Sequence, residues 1–166
     1  MKKFLKILDV TEDVIASSLL IITSFLVFFQ AILRYQFNYS ISWSEEVARM
    51  MIAWFIFIGS SIAVRENAHV NMDALSSILR GKIKIFISII VEIINIVFCI
   101  MIIFAGINMI KNAINLGSMA TSIKIPLYIP YASVPVGVSL MLIRYVMRFL
   151  DTVKELFKFD DLQGEV

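Results

Sequence analysis

The distribution of charge along this chain of 166 residues constrains its fold more than any other feature. Four stretches, at 14–33, 50–64, 85–110 and 125–143, contain a single charged side chain, Glu92. A helix of about 20 apolar residues is about 30 Å long, which matches the hydrocarbon core of a bilayer. Apolar residues make up 60% of the chain, against about 45–50% in an ordinary soluble domain. The sequence therefore predicts an all-α integral membrane protein with four transmembrane helices.

The whole chain is predicted to form a single membrane domain, 1–166, with both termini in the cytoplasm. Its spans are expected at about 14–33, 47–64, 85–110 and 126–148. With the N-terminus inside, eleven lysines and arginines lie on the cytoplasmic side and four on the other. The positive-inside rule favours this orientation.

Two sequence features predict where helices begin. Asp9 followed by Glu12 matches a capping box, which places the start of the first helix at this point. The fourth apolar stretch contains the prolines, and a proline inside a helix removes a hydrogen bond and bends the backbone. The fourth helix is therefore expected either to start near Pro130 or to bend at Pro135.

Several classes of site are excluded by composition. The chain has one histidine and one cysteine, so a bis-histidine haem site and an intrachain disulfide are impossible. Its net charge of +2 does not indicate a nucleic-acid partner. Four spans leave no room for a soluble catalytic domain, and no catalytic residue, metal or cofactor is predicted. Cys99 lies in the middle of a span and is expected to be a packing residue.

Glu92 is the charged residue that lies deepest in a predicted span. It shares one helical face with Asn95, Cys99 and Gly106. An ionisable group at this depth is a candidate proton or cation site. The alternative is a hydrogen bond to a neighbouring helix along a packing face, and the absence of an obvious partner for a proton relay favours this alternative.

The segment 34–49 carries the densest polar pattern on the predicted outer side. Glu45 and Glu46 lie in the first turn of the second helix, and Arg49 is spaced to pair with either acid. Capping and pairing within the helix explain these residues but not Arg34 and Asn38. A docking surface for an extracytoplasmic partner is the functional alternative. An interfacial aromatic belt accompanies these polar residues: Tyr35, Phe37, Tyr39 and Trp43.

A short amphipathic helix is predicted on the inner side, at about 70–81. His69 and Asp73 are four residues apart and can form a hydrogen-bonded pair, but a metal site would need further ligands. Basic residues at the end of this helix and just after it are candidate contacts for lipid head groups: Arg80, Lys82 and Lys84.

Small residues at helical spacing indicate where helices pack against each other, within the chain or against a partner. They form three sets: Ser17 with Ser24 and Ala31, Gly59 with Ala63, and Ser133 with Gly137.

The segment 34–73 resembles the small membrane subunit, the DctQ-type or Q subunit, of tripartite ATP-independent periplasmic (TRAP) transporters. The matching fragments are RYQFNYS at 34–40, WSEEVAR at 43–49, AWFIFIGSS at 53–61 and RENAHVNMD at 65–73. The chain length and the four spans also agree with this family, although the third and fourth spans match only in hydropathy.

The resemblance implies a scaffold or stator subunit in a bacterial inner membrane, rather than an enzyme. Such a subunit associates obligately with a large elevator-type permease and helps to dock a periplasmic substrate-binding protein. The assembly takes up an organic acid, such as sialic acid or a dicarboxylate, with sodium. The resemblance implies an outer partner-binding element and an inner element: Arg34, Asn38, Trp43, Glu45, Glu46 and Arg49 outside, and Arg65, His69 and Asp73 inside.

Two other functions compete with this interpretation. A small dimeric proton-coupled exporter would use Glu92 as its coupling site. A membrane-embedded enzyme would need a nucleophile with a base or a metal-binding cluster, and the sequence contains no such constellation.

Overall fold

The computed structural model contains helices joined by short connections. It describes the backbone of residues 2–39, 41–78 and 82–164, and the side chains of residues 6–39, 41–66 and 83–156. In chain order the helices are α1 (Lys2–Phe37), α2 (Ser42–Ile78), α3 (Lys82–Asn115), the short α4 (Tyr128–Tyr131) and α5 (Ser133–Gly164).

The described residues include four segments long and apolar enough to cross a membrane. These are Lys6–Phe37, Ser42–Glu66, Ile83–Asn115 and Tyr128–Leu156, the last of which combines α4 with most of α5. The prediction of an all-α chain with four such helices is confirmed. The orientation of the termini and the separate amphipathic helix at 70–81 stay predictions.

The long helices are packed in the order α1, α2, α5, α3. The main contacts of α1 are with α2, those of α3 are with α5, and α2 packs against α5 between them. The helices therefore form an open row, with α1 and α3 at its edges. We call the end that contains Phe37 and Ser42 the outer end and the opposite end the inner end, following the predicted orientation.

The contact between α2 and α5 depends on a glycine. A Cβ atom placed on Gly137 would lie 2.5 Å from Cβ of Phe57 and 2.7 Å from the Phe57 carbonyl oxygen. Only a residue without a side chain allows the two backbones to approach this closely. Ser133, one turn earlier, is 1% exposed. The Ser133–Gly137 pair thus packs within the chain.

The other two sets of small residues do not pack in this way. A Cβ atom on Gly59 would have no neighbour within 4 Å, and Ala63, one turn later, is exposed. Ser17 and Ser24 on α1 are also exposed, whereas Ala31 is half-buried between α1 and α2. These faces are left for lipid or for another protein.

The two expectations about helix starts had different outcomes. The capping box at Asp9 and Glu12 is wrong, because α1 begins at Lys2 and both acids lie well inside the helix. Pro135 is the third residue of α5, where a missing N–H costs nothing because the first turn of any helix has free N–H groups. The long fourth helix therefore starts just after Pro130, as the first alternative stated.

The connection at 116–127, which we call the outer loop, folds back on itself. Gly117 ends α3 in a left-handed conformation with φ +58°, and the Ser118 N–H donates to the Ala113 carbonyl at 3.0 Å. This is the Schellman motif that glycine favours. The Ala120 N–H then donates to the Ile125 carbonyl at 2.8 Å, which closes a tight turn near the start of α2.

Candidate functional site

A cluster of charged side chains joins three helices at the inner end. We call it the inner cluster; it consists of Asp9, Glu12 and Asp13 on α1, Ser61 and Arg65 on α2, and Arg144 on α5. Arg144 Nη2 donates to Asp9 Oδ1 at 2.9 Å and to Glu12 Oε2 at 2.5 Å. Since α1 and α5 are not neighbours in the row, Arg144 reaches past α2 to make these contacts.

Ser61 makes this reach possible. It is 0% exposed, and its Oγ accepts a hydrogen bond from Arg144 Nε at 3.0 Å. The same oxygen lies 3.4 Å from both carboxylate oxygens of Glu12. The side chains of Glu12 and Arg144 are only 5% and 12% exposed. Charges this well shielded from water are tolerated when they are paired and hydrogen-bonded.

Arg65 extends the inner cluster toward solvent. Its Nη2 donates to Asp13 Oδ1 at 2.7 Å, and its Nη1 lies 3.5 Å from Asp9 Oδ1. The inner element expected from the resemblance combines Arg65 with His69 and Asp73, but those two side chains lie outside the described residues. The structure therefore places Arg65 with α1 and leaves the rest of that element a prediction.

Two of the three side chains predicted to contact lipid also lie outside the described residues. The side chains of Arg80 and Lys82 are not among the described residues. Lys84 is described and is partly buried. Their contact with head groups stays a prediction.

Sequence reasoning missed the inner cluster, although the sequence carries a signal for it. Asp9, Glu12 and Asp13 precede the first apolar stretch, Arg65 follows the second, and Arg144 follows the fourth. With the predicted orientation, all five reach the same level of the membrane. Opposite charges at one level can pair, but the order of the helices is needed to say which ones do.

At the outer end, Glu46 holds the outer loop in place. Its two carboxylate oxygens accept the backbone N–H groups of Thr121 at 3.0 Å and Ser122 at 2.9 Å. A carboxylate that accepts two backbone N–H groups is a strong local clamp. Glu46, predicted as a partner-binding residue, thus stabilises the outer loop of its own chain.

Glu45 also has a partner within the chain, because the Gln30 amide donates to its Oε1 at 3.0 Å. The predicted pairing of Arg49 with these acids is wrong. Within the described side chains at 6–39, 41–66 and 83–156, no ion pair within 4.0 Å joins Arg49 to Glu45 or Glu46. The two acids are already occupied by amide donors.

Arg34 and Arg49 lie on a groove of about 410 Å³ between α1 and α2. Both side chains are exposed, and neither makes a hydrogen bond or ion pair with any other residue whose side chain is described. We call this the outer groove; it is lined by Val27, Gln30, Ala31, Arg34, Tyr35, Glu45, Ala48, Arg49 and Ile52.

The turn between α1 and α2 exposes the remaining predicted residues of the outer element. Asn38 is exposed and adopts φ +51°, a left-handed conformation that asparagine tolerates better than most residues. Trp43 is 53% exposed and Tyr39 is 62% exposed. Polar and aromatic side chains are thus presented together at the outer end, where a partner can contact them.

Glu92 is buried between α3 and α5. It is 6% exposed, and Thr152 Oγ1 donates to its Oε1 at 3.0 Å. Its Oε2 has no hydrogen-bond partner among the described residues. Cys99, on the same face, is 2% exposed. This arrangement agrees with a hydrogen bond between helices along a packing face.

The sequence model of the family described as "Tripartite ATP-independent periplasmic transporters, DctQ component" matches residues 23–155. A TRAP transporter small permease protein from Haemophilus influenzae is 30% identical over 88% of this chain and 89% of its own length. The chain belongs to the DctQ family. This membership confirms the resemblance carried by the segment 34–73.

Two further DctQ relatives extend the comparison. A C4-dicarboxylate TRAP transporter small permease protein, DctQ, from Vibrio cholerae is 23% identical over 83% of this chain and 69% of its own length. An isethionate TRAP transporter permease protein, DctMQ, from Oleidesulfovibrio alaskensis is 24% identical over 78% of this chain but only 21% of its own length.

Members of the DctQ family are components of transporters. The chain is therefore a multi-pass membrane protein and a small permease subunit of a TRAP transporter, rather than an enzyme.

Proposed function

We propose that this chain is the stator of a TRAP transporter in a bacterial inner membrane, bound to a large elevator-type permease subunit. The observation that carries the proposal is the match to DctMQ, since 79% of that protein's length lies outside the region covered by this chain. The part of DctMQ outside this region has room for a large permease subunit. Here the same two parts would be separate chains that assemble.

The open row of helices supports a role that depends on a partner. Apolar side chains on both edge helices are widely exposed, including Phe25 and Phe28 on α1, at 71% and 64%, and Phe98 and Phe104 on α3, at 61% and 65%. These faces suit lipid or the helices of another subunit. The charged groups of the inner cluster are paired with each other and are not arranged along a path through the row.

The proposed activity is sodium-driven uptake of an organic anion by the whole assembly. A permease domain that moves across the bilayer needs a part that stays still, and helices packed on its scaffold provide one. This chain would contribute no substrate or sodium site. The names of its relatives, which mention C4-dicarboxylates and isethionate, favour a small organic acid as the solute.

We place the docking surface for the periplasmic substrate-binding protein on the exposed turn with Arg34, Asn38 and Trp43. Glu46 would support this surface indirectly by fixing the outer loop. On the inner side, Arg65, His69 and Asp73 would form the second element, and Arg80, Lys82 and Lys84 would contact lipid head groups.

Co-purification and reconstitution test the stator proposal. The chain is expected to co-purify with a large permease encoded beside it. Uptake in liposomes should require both subunits and the binding protein, with the large subunit alone as the control. A chain that transports an organic anion by itself would refute the proposal.

The competing function, a dimeric proton-coupled exporter, makes a different prediction for Glu92→Gln. Glutamine keeps an oxygen that can accept the Thr152 hydrogen bond, so a stator should retain uptake close to that of the unaltered assembly. An exporter that moves protons through Glu92 should lose all activity. Uptake by the reconstituted assembly measures the difference.

A further inference from the structure

The outer groove changes from polar to apolar along its length. Toward the outer end it is lined by Arg34, Arg49, Gln30 and Glu45, and toward the membrane centre by apolar side chains. Two of these, Val27 and Ile52, are 45% and 40% exposed although both lie inside membrane-spanning segments. The groove is therefore open to the lipid phase along its apolar part.

The two arginines lie at the boundary of the hydrocarbon core. Arg34 directly follows the apolar stretch 14–33, and Arg49 directly precedes the stretch 50–64. An arginine at such a boundary extends its guanidinium toward the layer of lipid phosphates, while its methylene groups remain in apolar surroundings.

The charges in the groove are not balanced within the chain. Arg34 and Arg49 together carry two positive charges, and Glu45, the only acid among the described lining residues, already accepts a hydrogen bond from Gln30. One positive charge remains uncompensated, and neither guanidinium has a partner in the part of the chain whose side chains are described. Guanidinium groups bind phosphate through two parallel N–H donors, which is the strongest form of this contact.

We propose that the outer groove binds a membrane phospholipid. The phosphate would lie on Arg34 and Arg49, and the start of an acyl chain would pack along Val27, Ala31 and Ile52. The groove volume of about 410 Å³ is within the range of about 300–1,000 Å³ that is typical of small-ligand sites. The site is formed by α1 and α2 alone, so it does not depend on the large subunit.

Native mass spectrometry of the full chain, extracted from membranes in a mild detergent, tests this proposal. The probes are dioleoyl phosphatidylglycerol and dioleoylglycerol, which has the same acyl chains but no phosphate. Phosphatidylglycerol should bind more tightly to the unaltered chain than dioleoylglycerol does. The variant Arg34→Gln/Arg49→Gln should bind phosphatidylglycerol at least about tenfold more weakly, because both guanidinium donors to the phosphate are lost.

Lys111→Gln is the matched control. It removes one positive charge at the outer end of α3, where the side chain is exposed and lies outside the groove, and it should leave phosphatidylglycerol binding unchanged. If the double variant does not fold, the single variants Arg34→Gln and Arg49→Gln replace it, and each should bind phosphatidylglycerol more weakly than Lys111→Gln does.

Two results would overturn the proposal. One is equal binding of phosphatidylglycerol and dioleoylglycerol by the unaltered chain. The other is phosphatidylglycerol binding that the double variant leaves intact. Neither result bears on whether the chain co-purifies with the large permease, so the stator proposal is tested separately.

Discussion

At the inner end of the molecule, Arg65 and Arg144 each contact two carboxylates of α1, whereas at the outer end Arg34 and Arg49 contact no carboxylate among the described side chains. The glutamates at the two ends also differ in the type of partner they have. Glu12 is paired with an arginine, while Glu45 and Glu46 accept hydrogen bonds from amide groups. Charges that are paired inside the chain stabilise its fold, and charges left unpaired at a membrane boundary are available to other molecules.

The largest effect is expected from Arg144→Gln. The substitution leaves Glu12, with 5% exposure of its side chain, without its ion pair. Breaking a buried ion pair by removing one partner costs about 3–5 kcal/mol. Thermal unfolding of the purified chain in detergent should therefore show a much lower midpoint.

Two companion variants make this prediction specific. The double variant Arg144→Gln/Glu12→Gln should recover part of the lost stability, because no unpaired charge stays buried. Lys154→Gln removes an arm of an exposed ion pair with Asp151 and should leave the midpoint unchanged, as exposed pairs contribute little. An unaltered midpoint in Arg144→Gln would contradict a stabilising role for the inner cluster.

A smaller and more local effect is expected from Glu46→Ala. The N–H groups of Thr121 and Ser122 lose their acceptor, so the outer loop should open more easily, by about 1 kcal/mol, because water can replace the carboxylate at these exposed groups. Hydrogen exchange measured by mass spectrometry should become faster in the outer loop. Glu45→Ala is the control, since Glu45 binds Gln30 and not the loop. Equal exchange rates in Glu46→Ala and the unaltered chain would show that the clamp is not needed.

The smallest effect on stability is expected from Arg34→Glu, because Arg34 is exposed and has no partner in the described part of the chain. The free energy of unfolding should change by no more than about 1 kcal/mol, most of it from the loss of a positive charge in the last turn of α1. If the outer end is the docking surface, uptake by the assembly should nevertheless fall while the two membrane subunits still co-purify.

Lys111→Glu makes the same charge change elsewhere at the outer end and should leave uptake intact. Normal uptake in Arg34→Glu with an intact assembly would remove Arg34 from the docking surface. A large loss of stability in Arg34→Glu would instead remove the contrast between the two ends.

The sequence was sufficient to predict the four helices, because a bilayer imposes the same length and the same lack of charge on each of them. It also predicted the packing of Ser133 and Gly137, since small residues spaced by one turn allow close helix contacts. The start of α1 was predicted wrongly. Asp9 and Glu12 have the spacing of a capping box, but the same spacing also places both acids on one face of a continuing helix.

The pairing of side chains from different helices could not be predicted in the same way. The contacts of Arg144 with Glu12 and of Thr152 with Glu92 join residues 132 and 60 positions apart, and they exist only because α5 lies between α2 and α3. Likewise, the sequence places Arg49 three residues after Glu46, where the two could pair within one helix. Its actual partners are backbone groups of the outer loop, whose path no local pattern specifies.

The row of helices has a mechanical consequence. Neighbouring helices pack about 8–10 Å apart, so four of them in a row form a wall up to about 30–40 Å wide. If one edge or face of this wall is fixed to a permease, the far edge is a long lever arm lying in the plane of the membrane. Any torque that tilts the permease must then push this wall against the surrounding lipid, which resists the rotation.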